Sequence, residues 1–244
     1  MSEIIMEKLV ITTRCINKNL LFEKIMKQPI LILILLSMSI LCQGQSIKLG
    51  FQASPQLSWM KSTNPDITNQ QSMLGLKYGL EADLFLLKVP RYCLNTGIFI
   101  TNHSFKARYN LDSPIVLNDI SISSPVSIQY KLNYIEIPLD IKLRSDQFYR
   151  LTYYGQFGIT NLVNISASAV STDAKLNGSN ISESIRMFNM GMIMGGGVEY
   201  DVGGNTALNC GIQYTNYFID ATTIKNLDEK TTIKNLRLVI GVMF

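Results

Sequence analysis

From residue 45 onward, apolar and polar positions alternate with a period of two, the signature of β-strands whose two faces differ in chemistry. The alternation predicts a first strand over Ser46–Ser54, with Ile47, Leu49, Phe51 and Ala53 on one face. The second covers Met73–Leu86, where Leu74, Leu76, Tyr78, Leu80, Ala82, Leu84 and Leu86 oppose Gly75, Lys77, Gly79, Glu81 and Asp83. The third, Tyr92–Thr101, sets Tyr92, Leu94, Ile98 and Ile100 against Cys93, Asn95, Gly97 and Phe99. The fourth, Ser127–Arg144, sets Ile135, Ile137, Leu139, Ile141 and Leu143 against Glu136, Pro138, Asp140, Lys142 and Arg144.

The fifth, Phe148–Ala167, places Leu151, Tyr153, Phe157 and Ile159 opposite Arg150, Thr152, Tyr154 and Gln156. The sixth, Ile185–Tyr200, places Phe188, Met190, Met192, Met194 and Val198 opposite Asn189, Gly191, Gly195, Gly197 and Glu199. The seventh, Thr206–Tyr217, carries Leu208, Cys210, Ile212 and Tyr214 on its apolar face. The eighth, Thr232–Phe244, carries Leu236, Leu238, Ile240, Val242 and Phe244 against Asn235, Arg237, Gly241 and Met243.

The connections alternate in length. Leu87–Arg91, Ser145–Gln147 and Asp201–Asn205 have tight-turn compositions. Pro55–Ser72, Asn102–Val126, Ser168–Ser184 and Phe218–Thr231 are long and polar. Short turns on one side and long loops on the other are the wiring of a bacterial membrane barrel. A segment in lipid must satisfy its backbone polar groups internally, so only helices and closed barrels cross. The period excludes helices here. One face is aliphatic and aromatic, and the other holds Gly, Asn, Gln, Thr and charges of both signs. A soluble barrel reverses these faces. The expected fold is therefore all-β: an eight-stranded antiparallel up-and-down transmembrane β-barrel preceded by a signal peptide.

Composition sharpens this picture. Charged residues make up 16% and apolar residues 47% of the chain, yet there is one long apolar run. Several runs of about 18 or more residues are what a helical membrane protein needs. The part after residue 44 carries 17 Lys/Arg against 15 Asp/Glu, a balance that argues against nucleic acid. The apolar run, Ile30 to Leu41, follows Met26-Lys27 and ends at Cys42-Gln43-Gly44. That order is a signal peptide over residues 26–44, with the barrel domain over 45–244. Residues 1–25 read as an extension upstream of the true start, or as an unusually long leader. Leu41 before Cys42 argues against lipidation. Cys15 and Cys42 are removed on this reading. Cys93 and Cys210 fall on distant strands and opposite faces, which disfavours a disulfide.

Three segments resemble one family. Leu132-Asn133-Tyr134-Ile135-Glu136-Ile137-Pro138-Leu139-Asp140-Ile141-Lys142-Leu143-Arg144 is similar to the "Y-hydrophobic-E-I-P-L…K" strand of the PorT-like outer-membrane β-barrel family of Bacteroidetes. Met194-Gly195-Gly196-Gly197-Val198-Glu199-Tyr200 resembles its "G-x-G-hydrophobic-E-Y" strand, and Leu236–Phe244 its last strand. Ile47-Lys48-Leu49-Gly50-Phe51 fits its opening strand. The resemblance implies an outer-membrane location and a barrel, and its namesake takes part in protein secretion. Many members have no assigned role.

The inner face supplies the candidate chemistry: Lys77, Glu81, Asp83, Glu136, Asp140, Lys142, Arg144, Arg150, Glu199 and Arg237. An eight-stranded barrel is just wide enough for side chains to fill it. Buried charges must pair. These ten residues therefore read as a structural charge network that fills the lumen. A conducting pore is the alternative, and mixed signs argue against it. Glu136 with Asp140, and Glu81 with Asp83, share faces as acid–base pairs would, but nearby cations make ion pairing the expected outcome. Pro138 predicts a bulge or bend.

His103, the lone histidine, is expected at an outer rim beside Ser104, but adjacent strand residues point to opposite faces and disfavour a dyad. No metal set and no cofactor are implied. Gly195–Gly197 lacks the Lys-Ser/Thr of a phosphate loop and reads instead as close backbone approach. Tyr92, Tyr134, Tyr149, Tyr200, Tyr214, Tyr217 and Phe218 are candidates for interfacial girdles, and Trp59 for a rim position on the first loop. The terminal Phe244 is the expected recognition end for barrel-assembly machinery. The expected partners are outer-membrane lipid, that machinery and a protein bound through the loops or an export complex. The expected function is a non-enzymatic structural, surface-interaction or export-associated barrel. The alternatives are a lipid-modifying enzyme and a narrow channel.

Overall fold

A computed structural model describes residues 47–85, 91–112, 114–117, 120–171, 176–222 and 230–244. The expected signal peptide with Cys42, the expected upstream extension with Cys15, and most of the Leu87–Arg91 turn lie outside the described residues. The strands are β1 (Ile47–Ser62), β2 (Ile67–Phe85), β3 (Tyr92–Tyr109), β4 (Ile115–Leu117), β5 (Ile120–Ile122), β6 (Val126–Arg144), β7 (Leu151–Ser171), β8 (Leu176–Asn180), β9 (Phe188–Gly203), β10 (Thr206–Tyr217) and β11 (Thr231–Met243). Eight of them form one antiparallel ring. Its order is β6-β3-β2-β1-β11-β10-β9-β7, and β6 pairs with β7 to close it. The seam between first and last strands runs from Gly50↔Met243 to Ser62↔Thr231. Closure removes the edges that an open sheet would leave unpaired.

The turns at Tyr149 and Gly203–Gly204 share one end of the ring with the start of β1 and the end of β11. Phe148 and Leu151 exchange backbone hydrogen bonds of 2.8 and 2.9 Å around Tyr149, which sits at φ 56. Gly203 and Gly204, at φ 118 and 66, turn β9 into β10, and the Asp201 carboxylate accepts the Gly203 N–H at 2.9 Å. Positive φ is costly for residues with a Cβ, so glycine belongs at this corner.

Three of the predicted long connections are largely strand. β1 runs eight residues past Ser54, and the first connection shrinks to a turn over 63–66, where Asn64 Oδ1 accepts the Asp66 N–H at 2.7 Å. β3 reaches Tyr109, β7 reaches Ser171, and β4–β5 form a hairpin inside the second connection. Trp59 accordingly lies in β1, facing out beside Tyr214, with ring centroids 6.3 Å apart. β6 has 19 residues. At about 3.3 Å per residue and a tilt of about 40° such a strand rises roughly 45 Å, well beyond the ~25 Å apolar band of a membrane barrel.

Pro138 does not produce a bulge. The β3–β6 ladder stops at Thr96↔Leu139 and resumes at Phe99↔Glu136 in the same register. The missing N–H opens the ladder over two cross-strand pairs, and Thr96 Oγ1 donates to the Pro138 carbonyl at 2.8 Å. Pro55 acts likewise on the β11 side, where pairing skips from Ala53↔Ile240 to Gln56↔Arg237.

Candidate functional site: a sealed lumen under a collar

β6 shows how the sequence builds two different barrels end to end. From Ile135 to Leu143 its odd residues are apolar and exposed, while Glu136, Asp140 and Lys142 are buried in the lumen. From Val126 to Tyr134 the rule reverses: Val126, Ile128, Tyr130, Leu132 and Tyr134 point inward and are buried, and Gln129, Lys131 and Asn133 point outward. The apolar outer stretch, nine residues long, rises about 23 Å when tilted, matching the lipid band. The part beyond it stands about 20 Å above the lipid as a collar.

An outward polar ladder marks the border. Asn102 Nδ2 donates to Asn133 Oδ1 at 2.5 Å, Asn133 Nδ2 to Ser166 Oγ at 2.9 Å, and Asn164 Nδ2 to the Asn133 carbonyl at 3.3 Å. A β-bulge in β7 falls at the same level, opposite Asn133 and Tyr134.

Below the border the lumen is a network of charges. Glu136, with no exposed surface, accepts from Lys77 Nζ at 3.1 Å, Arg237 Nη1 at 2.9 Å and Thr160 Oγ1 at 3.2 Å. Lys142 Nζ pairs with Asp83 at 3.0 Å and Glu199 at 2.7 Å, and Arg144 also pairs with Glu199. Asn95 Nδ2 donates to both Glu81 at 2.6 Å and Asp83 at 2.7 Å. Lys77 lies over the Phe99 ring at 4.0 Å and Lys142 over Tyr154 at 4.6 Å. The strands beside β6 are β3 and β7, so its ion pairs to β2, β9 and β11 all cross the lumen. Removing one partner would leave a buried charge uncompensated, which makes such pairs costly to break.

Two of the ten predicted lumen residues stand apart. Asp140 is buried, but its carboxylate oxygens accept no hydrogen bond among the described residues. Arg150 is exposed in the turn before β7, because β7 starts at Leu151 and leaves residue 150 outside the alternation.

Glycines make room for Tyr154, the ring beneath Lys142. A Cβ on Gly197 would meet the Cys210 carbonyl and come within 2.7 Å of the Tyr154 hydroxyl, and one on Gly211 would lie 2.5 Å from that hydroxyl. Tyr154 thus occupies the volume that side chains at 197 and 211 would claim.

His103 is not at a rim. It is buried in the lumen at the border, with Nδ1 2.9 Å from Ser58 Oγ and 3.3 Å from Gln56 Nε2. Tyr134 and Tyr217 stand edge-on to its ring at 5.8 and 5.5 Å. Ser104 points the other way, toward Asn102. The Ser58 contact escapes a reading of neighbours in sequence. Its signal is the shared inward phase of β1 even residues and β3 odd residues. Tyr134 and Tyr217, expected in girdles, are buried inward, whereas Tyr92, Tyr149, Tyr200 and Phe218 are exposed.

Above His103 the collar is filled like a soluble protein. Met60, Ile67, Phe105, Ala107, Ile128, Leu132 and Ile233 form one buried cluster with Ile115, Leu117 and Ile122 of the β4–β5 hairpin. Phe105 stacks on Tyr130 at 5.3 Å, and the Tyr109 and Tyr130 hydroxyls bond at 2.7 Å. At the opposite end Phe244 is exposed and exchanges backbone hydrogen bonds of 2.7 and 3.0 Å with Leu49. Cys93 is buried, Cys210 faces out, and both are free thiols.

Among solved structures, the chain is similar to Neisserial surface protein A at 17% identity, covering 80% of this chain and 95% of that one, with a TM-score of 0.45. It is similar to the Pseudomonas aeruginosa outer membrane protein OprG at 12% identity, covering 82% and 95%, with a TM-score of 0.42. The Yersinia pestis attachment invasion locus protein Ail follows at 13% identity, covering 81% and 98%, with a TM-score of 0.35. No curated protein matches the chain. The model of the outer membrane protein beta-barrel domain matches residues 43–221, most of the closed ring described above, and the chain belongs to that family and to the outer membrane.

Proposed function

We propose that this protein is a non-enzymatic, non-conducting barrel that works through the outer surface of its collar, in surface interaction or in association with protein export. The observation that carries this reading is the apolar core of the collar, roofing a lumen already crossed by ion pairs. With the interior filled from both sides, the exposed collar wall is the surface left for recognition. Membership of the PorT-like branch and export through a cleaved 26–44 leader belong to the same proposal. They rest on the Tyr134-Ile135-Glu136-Ile137-Pro138-Leu139 motif and on the leader's composition.

The enzyme alternative has one serine–histidine contact to draw on, Ser58 with His103, and both side chains lie at zero exposure beneath the apolar roof. The test is planar-bilayer conductance combined with crosslinking of the exported protein in cells. Silent bilayers and crosslinks confined to collar positions such as Lys61 and Lys131 are expected. Steady ion conductance by the wild-type protein would overturn the plugged reading.

A further inference from the structure

At the upper edge of its wall the collar carries a groove of about 360 Å³, lined mainly by outward residues of β2, β3, β6 and β7 and closed by Pro125 and the inward Val126 and Ser171. Lys106 and Arg108 of β3 stand over Gln129 and Ser127 of β6, their partners across the ladder. Gln70 completes the β2 side. It is the extra residue of a β-bulge, since pairing with β3 passes from Asn69↔Ala107 to Gln71↔Lys106. A bulge re-aims a side chain out of the regular alternation, and here it adds an amide to the groove. The opposite wall is also irregular: the β7–β8 ladder shifts beside Val170, a lining residue.

The charge of the groove is one-sided. In the lumen Lys77, Lys142, Arg144 and Arg237 each have a carboxylate partner. Among the described residues none of the ion pairs involves Lys106 or Arg108, and Arg108 Nε donates only to the neutral Asn110 amide at 3.3 Å. Lys131 adds a third cation two residues below Gln129 on the same face of β6. A cationic cleft next to low-dielectric walls concentrates anions, and Arg with Lys is the pairing that phosphate oxygens select.

Height sets the kind of anion. On β3 the last outward apolar residue is Ile100, and Lys106 lies six residues above it on the same face. That is about 15 Å along the membrane normal at the usual rise and tilt. Polar headgroup layers add only about 5–8 Å per leaflet to the hydrocarbon core. Lys106 therefore stands above a simple phospholipid head, where a sugar headgroup reaches, and a Lys stem leaning down brings its charge lower. The amides of Gln70 and Gln129 and the Ser127 hydroxyl suit sugar hydroxyls.

From this geometry we infer that the groove bounded by Gln70, Lys106, Arg108, Ser127 and Gln129 binds the phosphorylated saccharide headgroup of an outer-leaflet glycolipid. The inference rests on the collar wall being the working surface. It names one ligand for that surface, whose acyl chains lie against the apolar belt directly below.

The test uses the purified exported protein in detergent micelles, titrated with three probes by native mass spectrometry. The probes are the bis-phosphorylated glucosamine-disaccharide lipid A, its phosphatase-treated form, and the deacylated bis-phosphorylated disaccharide. Wild type should hold the bis-phosphorylated lipid at least tenfold more tightly than either other probe, the scale of one lost charge-assisted contact. The Lys106→Gln/Arg108→Gln double variant should lose that preference. Lys234→Gln, on the collar wall of β11, should keep it. Heat-modifiable migration of all variants checks that they fold. Equal binding of the phosphatase-treated lipid, or an unaffected double variant, would overturn the site. Equally tight binding of the deacylated disaccharide would overturn the lipid assignment in favour of a soluble sugar phosphate. Conductance of the same wild-type sample reports on the plugged reading separately, since headgroup binding does not require a closed lumen.

Discussion

Two stretches of β6, Val126–Tyr134 and Ile135–Arg144, share one strand and one register, yet they follow opposite rules. Below the Asn102–Asn133–Ser166 ladder, the outside is apolar and the inside is charged. Above it, the inside is apolar and the outside is polar and cationic. The difference comes from the solvent on the outside. Lipid rewards aliphatic surface and leaves the lumen as the place for charge, provided every charge is paired. Water penalises that same surface and rewards burying it, as in any soluble core. One closed hydrogen-bonded ring serves both because the ladder uses only backbone groups.

The predictions use this contrast, from the largest effect down. Gly197→Leu should abolish assembly, read as loss of the heat-modifiable folded band, because the Tyr154 hydroxyl and the Cys210 carbonyl already fill that space. A normal folded band would mean that the packing at Tyr154 tolerates bulk and is not what sets the lumen.

Glu136→Leu should cost about 3–5 kcal/mol in urea titrations of the folded barrel, since Lys77 and Arg237 lose their shared carboxylate. Adding Lys77→Met and Arg237→Met should recover most of the loss. A triple variant as unstable as the single one would assign the cost to packing and not to charge.

Leu139→Arg, in the lipid belt, should cost about 2–4 kcal/mol, whereas Gln129→Arg, ten residues away on the same outer face, should stay within about 0.5 kcal/mol. Equal costs would erase the border drawn at Asn133. The smallest effect belongs to the collar interior, where Tyr130→Phe should cost about 1 kcal/mol by leaving the Tyr109 hydroxyl without its partner.

The strand count, the facing of the membrane half and the inward side of the lumen charges other than Arg150 were legible because a two-residue period with opposed faces is local information. The collar was harder to read. Gln56, Ser58 and Met60 alternate with Leu57, Trp59 and Lys61, a pattern without a consistently apolar face, and Pro55 looks like a loop residue. The inverted phase of Ser127–Tyr134 was the available signal: its apolar residues fall on even positions and those of Ile135–Leu143 on odd ones. Arg150 was misplaced because its parity matched the lumen face, while the turn at Tyr149 ends the alternation just before β7.

By itself, then, the sequence determined the pairing of apolar and polar faces, the tight corner at Gly203–Gly204, and the supply of balanced charge for one interior. Those follow from side-chain alternation and from φ, which each residue carries with it. Only the tertiary structure decided that Glu136 serves Lys77 and Arg237, that His103 meets Ser58, and that Lys106, Arg108 and Gln70 line one groove. These contacts join residues distant in the chain. Which of them meet depends on register, bulges and ring closure, and no single strand contains that information.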